Sequence, residues 1–253
     1  MMIALLTDFG TRDGYVAAMK AVIKTICPKT WIIDISHDIL PQNIAEGKFV
    51  LWTTCRYFPS ATIFVCVVDP DVGTNRKIIA VKTKDHIFLA PDNGLLDMIV
   101  AEHEINKVRQ VTNQKYFLKN VSNTFHGRDI FSPVAAYLAN GVKFRSLGPA
   151  IALRKSPGIF TDVSGKGEFN GSIIYEDRFG NLVTNLKMKN KTGLKLKING
   201  VTVPLKVTYA EVSEGELVAY TGSSGLVEIA ARNGNARQLL KAQYGDRVVL
   251  TAK

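Results

Sequence analysis

The sequence predicts an α/β fold followed by a second, all-β domain at the carboxyl end. Strand and helix signals alternate along the first part of the chain, which is typical of layers packed around a mostly parallel sheet. From about residue 168 the strand signals continue without convincing helices between them, which indicates a small barrel or curled sheet. We therefore expect an α/β domain at residues 1–153, a linker at 154–167 and a β-barrel domain at 168–253.

Local patterns place the elements of the first domain. Thr11 or Asp13 is a candidate cap for a first helix that ends before Pro28. Pro133 near the start and Gly141 just past the end bound the last helix. In total, strands are expected at 3–6, 31–35, 62–68, 77–83 and 86–90, and helices at 11–26, 43–58, 95–102 and 132–140.

Turn chemistry defines the second part of the chain. Residues 154–171 are rich in turn formers and lack periodicity, so they indicate a linker. Asn199-Gly200 lies between apolar residues and suits the type I′ turn of a β-hairpin. Further strands are expected at 217–220, 226–230 and 247–251.

Composition argues against several classes of protein. The 253 residues are 46% hydrophobic and 21% charged, as in an ordinary globular protein. The start lacks a signal-peptide pattern and no apolar stretch approaches the ~20 residues of a membrane span, so we expect a cytoplasmic protein without a membrane partner. Cys27, Cys55 and Cys66 lie far apart within apolar runs, which favours buried free thiols. No Cys/His cluster has zinc spacing, and no metal site is predicted.

The formal net charge of +10 raises nucleic-acid binding as an alternative. The distribution of the charge favours a solvated strand face instead, because five lysines largely alternate with apolar or small residues. These are Lys187, Lys189, Lys191, Lys195 and Lys197. No nucleic-acid partner is therefore expected.

Polar side chains gather where predicted strands end, which is where open α/β sheets bind ligands. Asp8 directly follows the first strand, where a carboxylate can accept two ribose hydroxyls. Asp13 opens the first helix, where a capping role is the plainer interpretation. The glycine pattern of a dinucleotide site is missing, so a nucleoside is expected rather than a nucleotide.

Two more clusters combine charge with tight turns. Asp69 ends the third strand and Arg76 returns alongside it, although a turn with a surface ion pair would use the same residues. His126 stands ahead of the last helix, where ligands are favoured and where a histidine can also be structural.

The carboxyl part has two candidate binding stretches. Phe179 and Asn181 offer a flat stacking face and an amide that can pair with a base edge, although a β-turn explains them as well. Ser223 and Ser224 offer hydroxyl and backbone N–H groups for a carboxylate, or they form a hairpin turn.

Taken together, seven stretches resemble the S-adenosyl-L-methionine hydrolases (adenosine-forming), relatives of the fluorinase and chlorinase enzymes. The stretches follow the family's order and cover nearly the whole chain: TDFGTRDGY, ISHDILPQNI, VVDPDVGTNR, LAPDNGLL, TFHGRDIFSP, DRFGNLVTN and SSGLVEIA. The resemblance implies an α/β domain, a small β-barrel and a homotrimer with active sites between subunits. It also implies S-adenosyl-L-methionine as a substrate, with no cofactor.

The resemblance further implies a role for each candidate residue. Water would attack the ribose C5′ in line, releasing adenosine and methionine, while Asp69, Arg76 and His126 hold that water. The substrate would be bound by Asp8 (ribose hydroxyls), Asp13, Phe179 and Asn181 (adenine), Asp177 (the methionine ammonium), and Ser223 and Ser224 (the methionine carboxylate).

Four positions depart from the pattern of the relatives. Asp71 stands where glycine is usual, Arg232 where asparagine is more common, and Val183 replaces a tryptophan of the halogenases. Asp177 lies one residue closer to its Phe-Gly-Asn than the halogenase carboxylate does.

Two alternative functions remain at this point. The first is a halogenase that makes 5′-halo-5′-deoxyadenosine. Asp69 and Gly127 argue against it, because the halogenases carry tyrosine and serine there. The second is a non-catalytic protein that binds S-adenosyl-L-methionine or adenosine.

Overall fold

The computed structural model describes residues 1–153, 158–188 and 194–252. The chain divides into two compact units, Met1–Ser156 and Pro157–Lys253, each with its own hydrophobic core. The protein is thus a two-domain α/β protein. Its first unit contains a mixed sheet with helices, and its second contains an antiparallel, barrel-like sheet.

The first unit is built on a six-stranded sheet in the order β2-β1-β3-β5-β4-β6. Strands β2, β1, β3 and β5 run parallel to one another, whereas β4 pairs antiparallel with both β5 and β6. The strands are β1 Met2–Thr7, β2 Trp31–Ser36, β3 Ile63–Val67, β4 Ile78–Thr83, β5 Ile87–Pro91 and β6 Ile105–Gln110. The helices are α1 Tyr15–Ile26, α2 Ile44–Cys55, α3 Asp97–Glu102 and α4 Ser132–Ala139.

Several helix boundaries differ from expectation, and the differences in α1, α2 and α4 are the most informative. The N-cap of α1 is Gly14, so the prediction that Thr11 or Asp13 caps this helix was wrong. The end of α2 lies at Cys55, three residues before the predicted one, in keeping with the poor helix tolerance of residues preceding a proline. A π-helical turn at Gly127–Phe131 leads directly into α4, so helical backbone begins earlier than predicted.

The second unit contains a curved, mainly antiparallel sheet in the order β11-β10-β14-β8-β9-β13-β12, with β7 added parallel to β9. The backbone N–H of Lys206 donates to the Ala219 carbonyl at 2.8 Å, so the two ends of the sheet meet and the barrel nearly closes. The strands are β7 Thr161–Asp162, β8 Gly167–Glu176, β9 Leu182–Lys187, β10 Lys195–Ile198, β11 Val201–Pro204, β12 Leu217–Thr221, β13 Leu226–Ala231 and β14 Arg247–Ala252. A short helix, α5, spans Ala236–Leu240.

Several local predictions can be compared with this structure. Lys195 and Lys197 are exposed and alternate with the buried Leu196 and Ile198, as expected for the wet face of a strand. Lys187 at the end of β9 is half-buried, and Lys189 and Lys191 lie outside the described residues. The predicted linker at 154–167 contains β7, and its first four residues also lie outside the described part. The three cysteines are buried free thiols, as predicted.

Two physical properties complete the description. Burial raises the pKa of the Cys55 thiol to about 11 and that of Cys66 well above its ordinary value, so neither is an activated nucleophile. Within the described ranges, no helix combines the length and apolar character needed to cross a membrane.

The hairpin turn between β10 and β11 has the predicted Asn199-Gly200 geometry, with φ values of 47° and 79°. Gly200→Ala should lower the free energy of unfolding by about 1–2 kcal/mol, because a Cβ disfavours this left-handed backbone. Gly158→Ala is the matched control, since a Cβ at Gly158 meets open space and no left-handed φ is required. Urea denaturation would measure both variants, and equal losses would contradict the assignment.

Candidate active site

Asp69 and Arg76 form a nearly dry ion pair just past the end of β3. The Nε of Arg76 donates to both carboxylate oxygens at 2.7 Å, and Nη2 contacts Oδ2 as well. Only 3% of the Asp69 side chain and 7% of the Arg76 side chain are exposed. This pair is therefore much less screened than the surface ion pair that the sequence left open.

The same guanidinium reaches His126, which comes from the loop ahead of α4. Nη2 of Arg76 lies 2.9 Å from Nδ1 of His126. Arginine can only donate hydrogen bonds, so Nδ1 must accept, and the imidazole in this contact is neutral with its proton on Nε2. The structure thus brings together three side chains, of which Arg76 and His126 are 50 residues apart in the sequence.

Burial and the positive charge of Arg76 together lower the pKa of His126. The carboxylates of Asp69 and Asp129 and a backbone hydrogen bond with Ser122 oppose this shift without overcoming it. The neutral imidazole that the geometry requires is therefore also the form that the surroundings favour.

Gly73 allows the two loops to approach each other. Its φ is 83°, and a Cβ at this position would overlap the backbone carbonyl of Asn123. Only glycine combines that backbone conformation with that contact. The loop after β3 can therefore pack against the loop that carries His126.

Asp129 anchors the His126 loop, a role that the sequence did not reveal. Its fully buried carboxylate accepts from Ser122 N at 2.8 Å and from Arg128 Nε at 2.6 Å. Burial alone would raise the pKa of this carboxyl, but the hydrogen bonds from Arg128 and Ser122 outweigh it, and the net pKa is lowered. The Asp129 carboxylate beside His126 thus holds the conformation of its own loop through hydrogen bonds.

Asp8 lies on the same edge of the sheet, because Thr7 of β1 pairs with Val67 of β3. Its half-buried carboxylate accepts from the backbone N–H of Gln42 at 2.8 Å. The loop is held further by His37, which contacts the Thr7 hydroxyl at 2.7 Å. His37 was missed by the sequence interpretation, although it belongs to one of the matched stretches.

Asp13 is exposed, and nothing in its surroundings assigns it to this edge.

Gly127 faces the aromatic ring of Phe9. A Cβ on Gly127 would lie 3.0 Å from Cε2 of Phe9 and 3.3 Å from the Met19 sulfur. Any larger residue at 127 therefore requires Phe9 or Met19 to move.

The second unit contains a cavity of about 800 Å³. It is lined by Asp177, Phe179, Asn181, Tyr209, Tyr220, Glu228, Ala230, Ala231, Asn233, Gly234 and Asn235. Phe179 is 74% exposed, which suits a stacking surface for a ligand. The predicted base-binding residues thus share one cavity.

Asp177 serves the turn that carries those residues. Its carboxylate accepts from the backbone N–H groups of Phe179 at 2.8 Å and Asn181 at 2.9 Å, and from the Asn181 side-chain amide at 2.8 Å. Gly180 completes the turn with a φ of 80°, packed against the Asn235 side chain at the start of α5. The β-turn interpretation and the base-binding one are therefore compatible.

Ser223 and Ser224 form the turn between β12 and β13 and do not line this cavity. Ser223 is exposed. Ser224 is buried, and its hydroxyl lacks a hydrogen-bonding partner among the described residues. Such a hydroxyl is costly unless something else satisfies it.

The departures from the family's pattern have local explanations. Asp71 is exposed on its turn. The Arg232 guanidinium donates to the Val212 carbonyl at 2.8 Å and does not line the cavity. Val183 is buried in the sheet and cannot provide a stacking face. In the described residues, no three His, Cys, Asp or Glu side chains cluster as metal ligands.

The charge of Arg76 makes a spectroscopic prediction. Arg76→Gln should raise the pKa of His126, because it removes a positive charge and leaves the Asp69 carboxylate beside the ring. An NMR titration of the imidazole signals would measure the change. His86 is an internal control, since burial is the main cause of its lowered pKa. An unchanged or lower His126 pKa would refute the contact.

Comparison with known proteins agrees with the resemblance seen in the sequence. A protein from Salinispora tropica named (R)-S-adenosyl-L-methionine hydrolase is 36% identical, over 99% of this chain and 97% of its own length. A protein from Actinoplanes sp. named fluorinase is 29% identical, over 90% of each chain. The crystal structure of an uncharacterised conserved protein from Thermotoga maritima matches with a TM-score of 0.89 and 35% identity, over 99% of this chain and 100% of that one.

Family models give the same result for each unit. Residues 3–148 match the SAM hydroxide adenosyltransferase N-terminal domain. Residues 171–249 match the C-terminal domain of the same family. The chain therefore belongs to the SAM hydroxide adenosyltransferase family.

Proposed function

We propose that this protein hydrolyses S-adenosyl-L-methionine to adenosine and L-methionine. The observation that carries the proposal is the contact of His126 with the buried Asp69–Arg76 pair, just past the carboxyl end of β3. Relatives that bear the hydrolase name at 34–36% identity, over nearly the whole chain, support it.

Water is the proposed nucleophile, and it attacks the ribose C5′ in line with the carbon–sulfur bond. Methionine leaves as a neutral thioether, so the leaving group needs no acid. Asp69 accepts the proton of the attacking water, while Arg76 and His126 orient the oxygen and stabilise its developing negative charge. Within the described residues the Nη1 nitrogen of Arg76 makes no hydrogen bond, so its two N–H groups can serve the water.

The difference in pKa between water and a carboxyl group decides when the attacking water loses its proton. Water has a pKa of about 15.7 and a carboxyl in a model peptide about 3.9, a gap of roughly 12 units. Complete proton transfer before attack would cost about 16 kcal/mol at 1.36 kcal/mol per unit. Proton loss is therefore concerted with, or later than, carbon–oxygen bond formation.

Substrate binding involves both units in this proposal. Asp8 accepts the ribose hydroxyls, with Asp13 nearby in the sequence, and Phe179 and Asn181 bind adenine. Ser223 and Ser224 bind the methionine carboxylate, which would satisfy the buried Ser224 hydroxyl. The assembly is a cytoplasmic homotrimer with active sites between subunits, and no cofactor takes part.

Two alternatives are set aside by specific features. A halogenase is disfavoured because Asp69 occupies the position of its tyrosine and because Phe9 crowds the position of its serine, Gly127. A non-catalytic binder is separated from an enzyme by the turnover assay below.

Replacing the base gives the direct test. Asp69→Asn should lower kcat by about 10²–10⁴, because the variant keeps the shape but cannot accept the proton. Chromatography of adenosine and methionine measures the product. Asp71→Asn removes an exposed carboxylate from the same turn and should retain wild-type turnover. Full activity in Asp69→Asn would disprove the assigned base.

Isotope labelling tests the position of attack. Turnover in ¹⁸O-labelled water should place the label on the 5′-hydroxyl of adenosine, since the new carbon–oxygen bond forms at C5′. Mass spectrometry locates the label. Label in methionine, or a halide-dependent nucleoside product, would contradict displacement by water at this carbon.

A further inference from the structure

Tyr220 and Glu228 form a polar pair in the second unit that the proposed mechanism does not use. They are direct partners across the antiparallel β12–β13 ladder, and both line the 800 Å³ cavity. As direct partners on neighbouring strands, the two side chains project from the same face of the ladder, and the Tyr220 hydroxyl is the donor that lowers the pKa of the Glu228 carboxyl. A Cβ on Gly222 would overlap that carboxyl group, so the glycine makes room for it.

The carboxyl group of Glu228 is placed where an unpaired anion is costly. Burial raises its pKa most, the negative charge of Asp177 raises it further, and the hydrogen bond from Tyr220 only partly opposes them. Burial and Glu228 itself also raise the pKa of Tyr220, so the phenol remains a protonated donor. A cationic ligand would relieve this cost by pairing with the carboxylate.

The other carboxylate of the cavity is already committed. Asp177 accepts three hydrogen bonds from its own turn, whereas Tyr220 is the single donor to Glu228 among the described residues. Breaking the Asp177 contacts would disturb Phe179 and Asn181, which the same turn presents. Glu228 can accept new donors without such a loss.

We propose that Glu228 receives the α-ammonium group of the methionine part of the substrate and that Tyr220 positions its carboxylate. Asp177 then has a structural role, holding the turn that presents the base-binding residues. The rings of Tyr209 and Tyr220, with centroids 6.4 Å apart, line the same cavity and add favourable aromatic surface for a cation. This inference rests on the proposed function.

Calorimetry of the full-length protein saturated with adenosine tests the proposal without requiring turnover. The probes are L-methionine and 4-(methylthio)butyrate, which is methionine without its amino group. Wild-type protein should bind methionine about ten-fold or more tightly than the analogue, as expected for a charge-assisted hydrogen bond. In Glu228→Gln, a change of similar size and shape, that preference should fall below about two-fold, with adenosine affinity retained.

Asp177→Asn provides the contrasting variant. It should weaken adenosine binding, because the altered turn presents Phe179 and Asn181 less well, while the preference for methionine over its analogue persists. Tyr220→Phe should reduce that preference only in part, because it removes a group that positions Glu228 and leaves the carboxylate itself in place.

In the wild type, methionine affinity should fall as acidification protonates Glu228, whose neighbouring titratable groups are Tyr220 and Asp177. Glu228→Gln should lack this pH dependence.

The outcomes separate this inference from the proposed function. A wild-type preference for methionine that survives in Glu228→Gln, or is lost in Asp177→Asn instead, would overturn the inference. Hydrolysis in the wild type together with that result would leave the proposed function standing. Binding of both products with the expected dependence on Glu228, but without hydrolysis, would overturn the proposed function alone.

Discussion

A guanidinium that can only donate hydrogen bonds sets the chemistry of the first unit. Arg76 donates to Asp69 and to Nδ1 of His126. Both partners must therefore be acceptors, Asp69 as a carboxylate and His126 as a neutral imidazole. The two loops must therefore meet closely, which Gly73 permits, and the histidine loop must be fixed, which the buried Asp129 achieves. Each of these features follows from the need to present two acceptors to one buried cation.

Carboxylates in this protein can be sorted by how many donors they already hold. Asp129 and Asp177 each accept several hydrogen bonds from their own loops, and those bonds maintain the shape of the backbone. Glu228 has one described donor, and Asp8 has one. The carboxylates with spare acceptor capacity are the ones suited to a ligand, and sequence alone could not distinguish the two kinds.

Much of the architecture was predictable, and the failures have physical causes. Strand β3 and the Asn199-Gly200 hairpin carried strong local signals, and both are present. Strand β6 was missed because its polar residues lack an apolar run and its position at the sheet edge does not require one. Helix α5 was missed because five residues are too few for a periodic pattern.

For the candidate site, the sequence predicted which residues matter but not the contacts that they make. The motif order led to Asp69, Arg76 and His126, and the structure places them in contact. The contacts of Asp177 and Glu228 depend on cross-strand register and on a turn closing on itself, which no single stretch encodes. The protonation state of His126 likewise follows from a partner 50 residues away.

The close packing of Phe9 against Gly127 couples two distant segments of the chain. A Cβ at position 127 would lie 3.0 Å from Cε2 of Phe9 and 3.3 Å from the Met19 sulfur. A larger residue there fits only if one of these side chains shifts by a few tenths of an ångström. The residue that position 127 can hold is therefore set by how the loop after β1 and helix α1 pack, and not by its own loop alone.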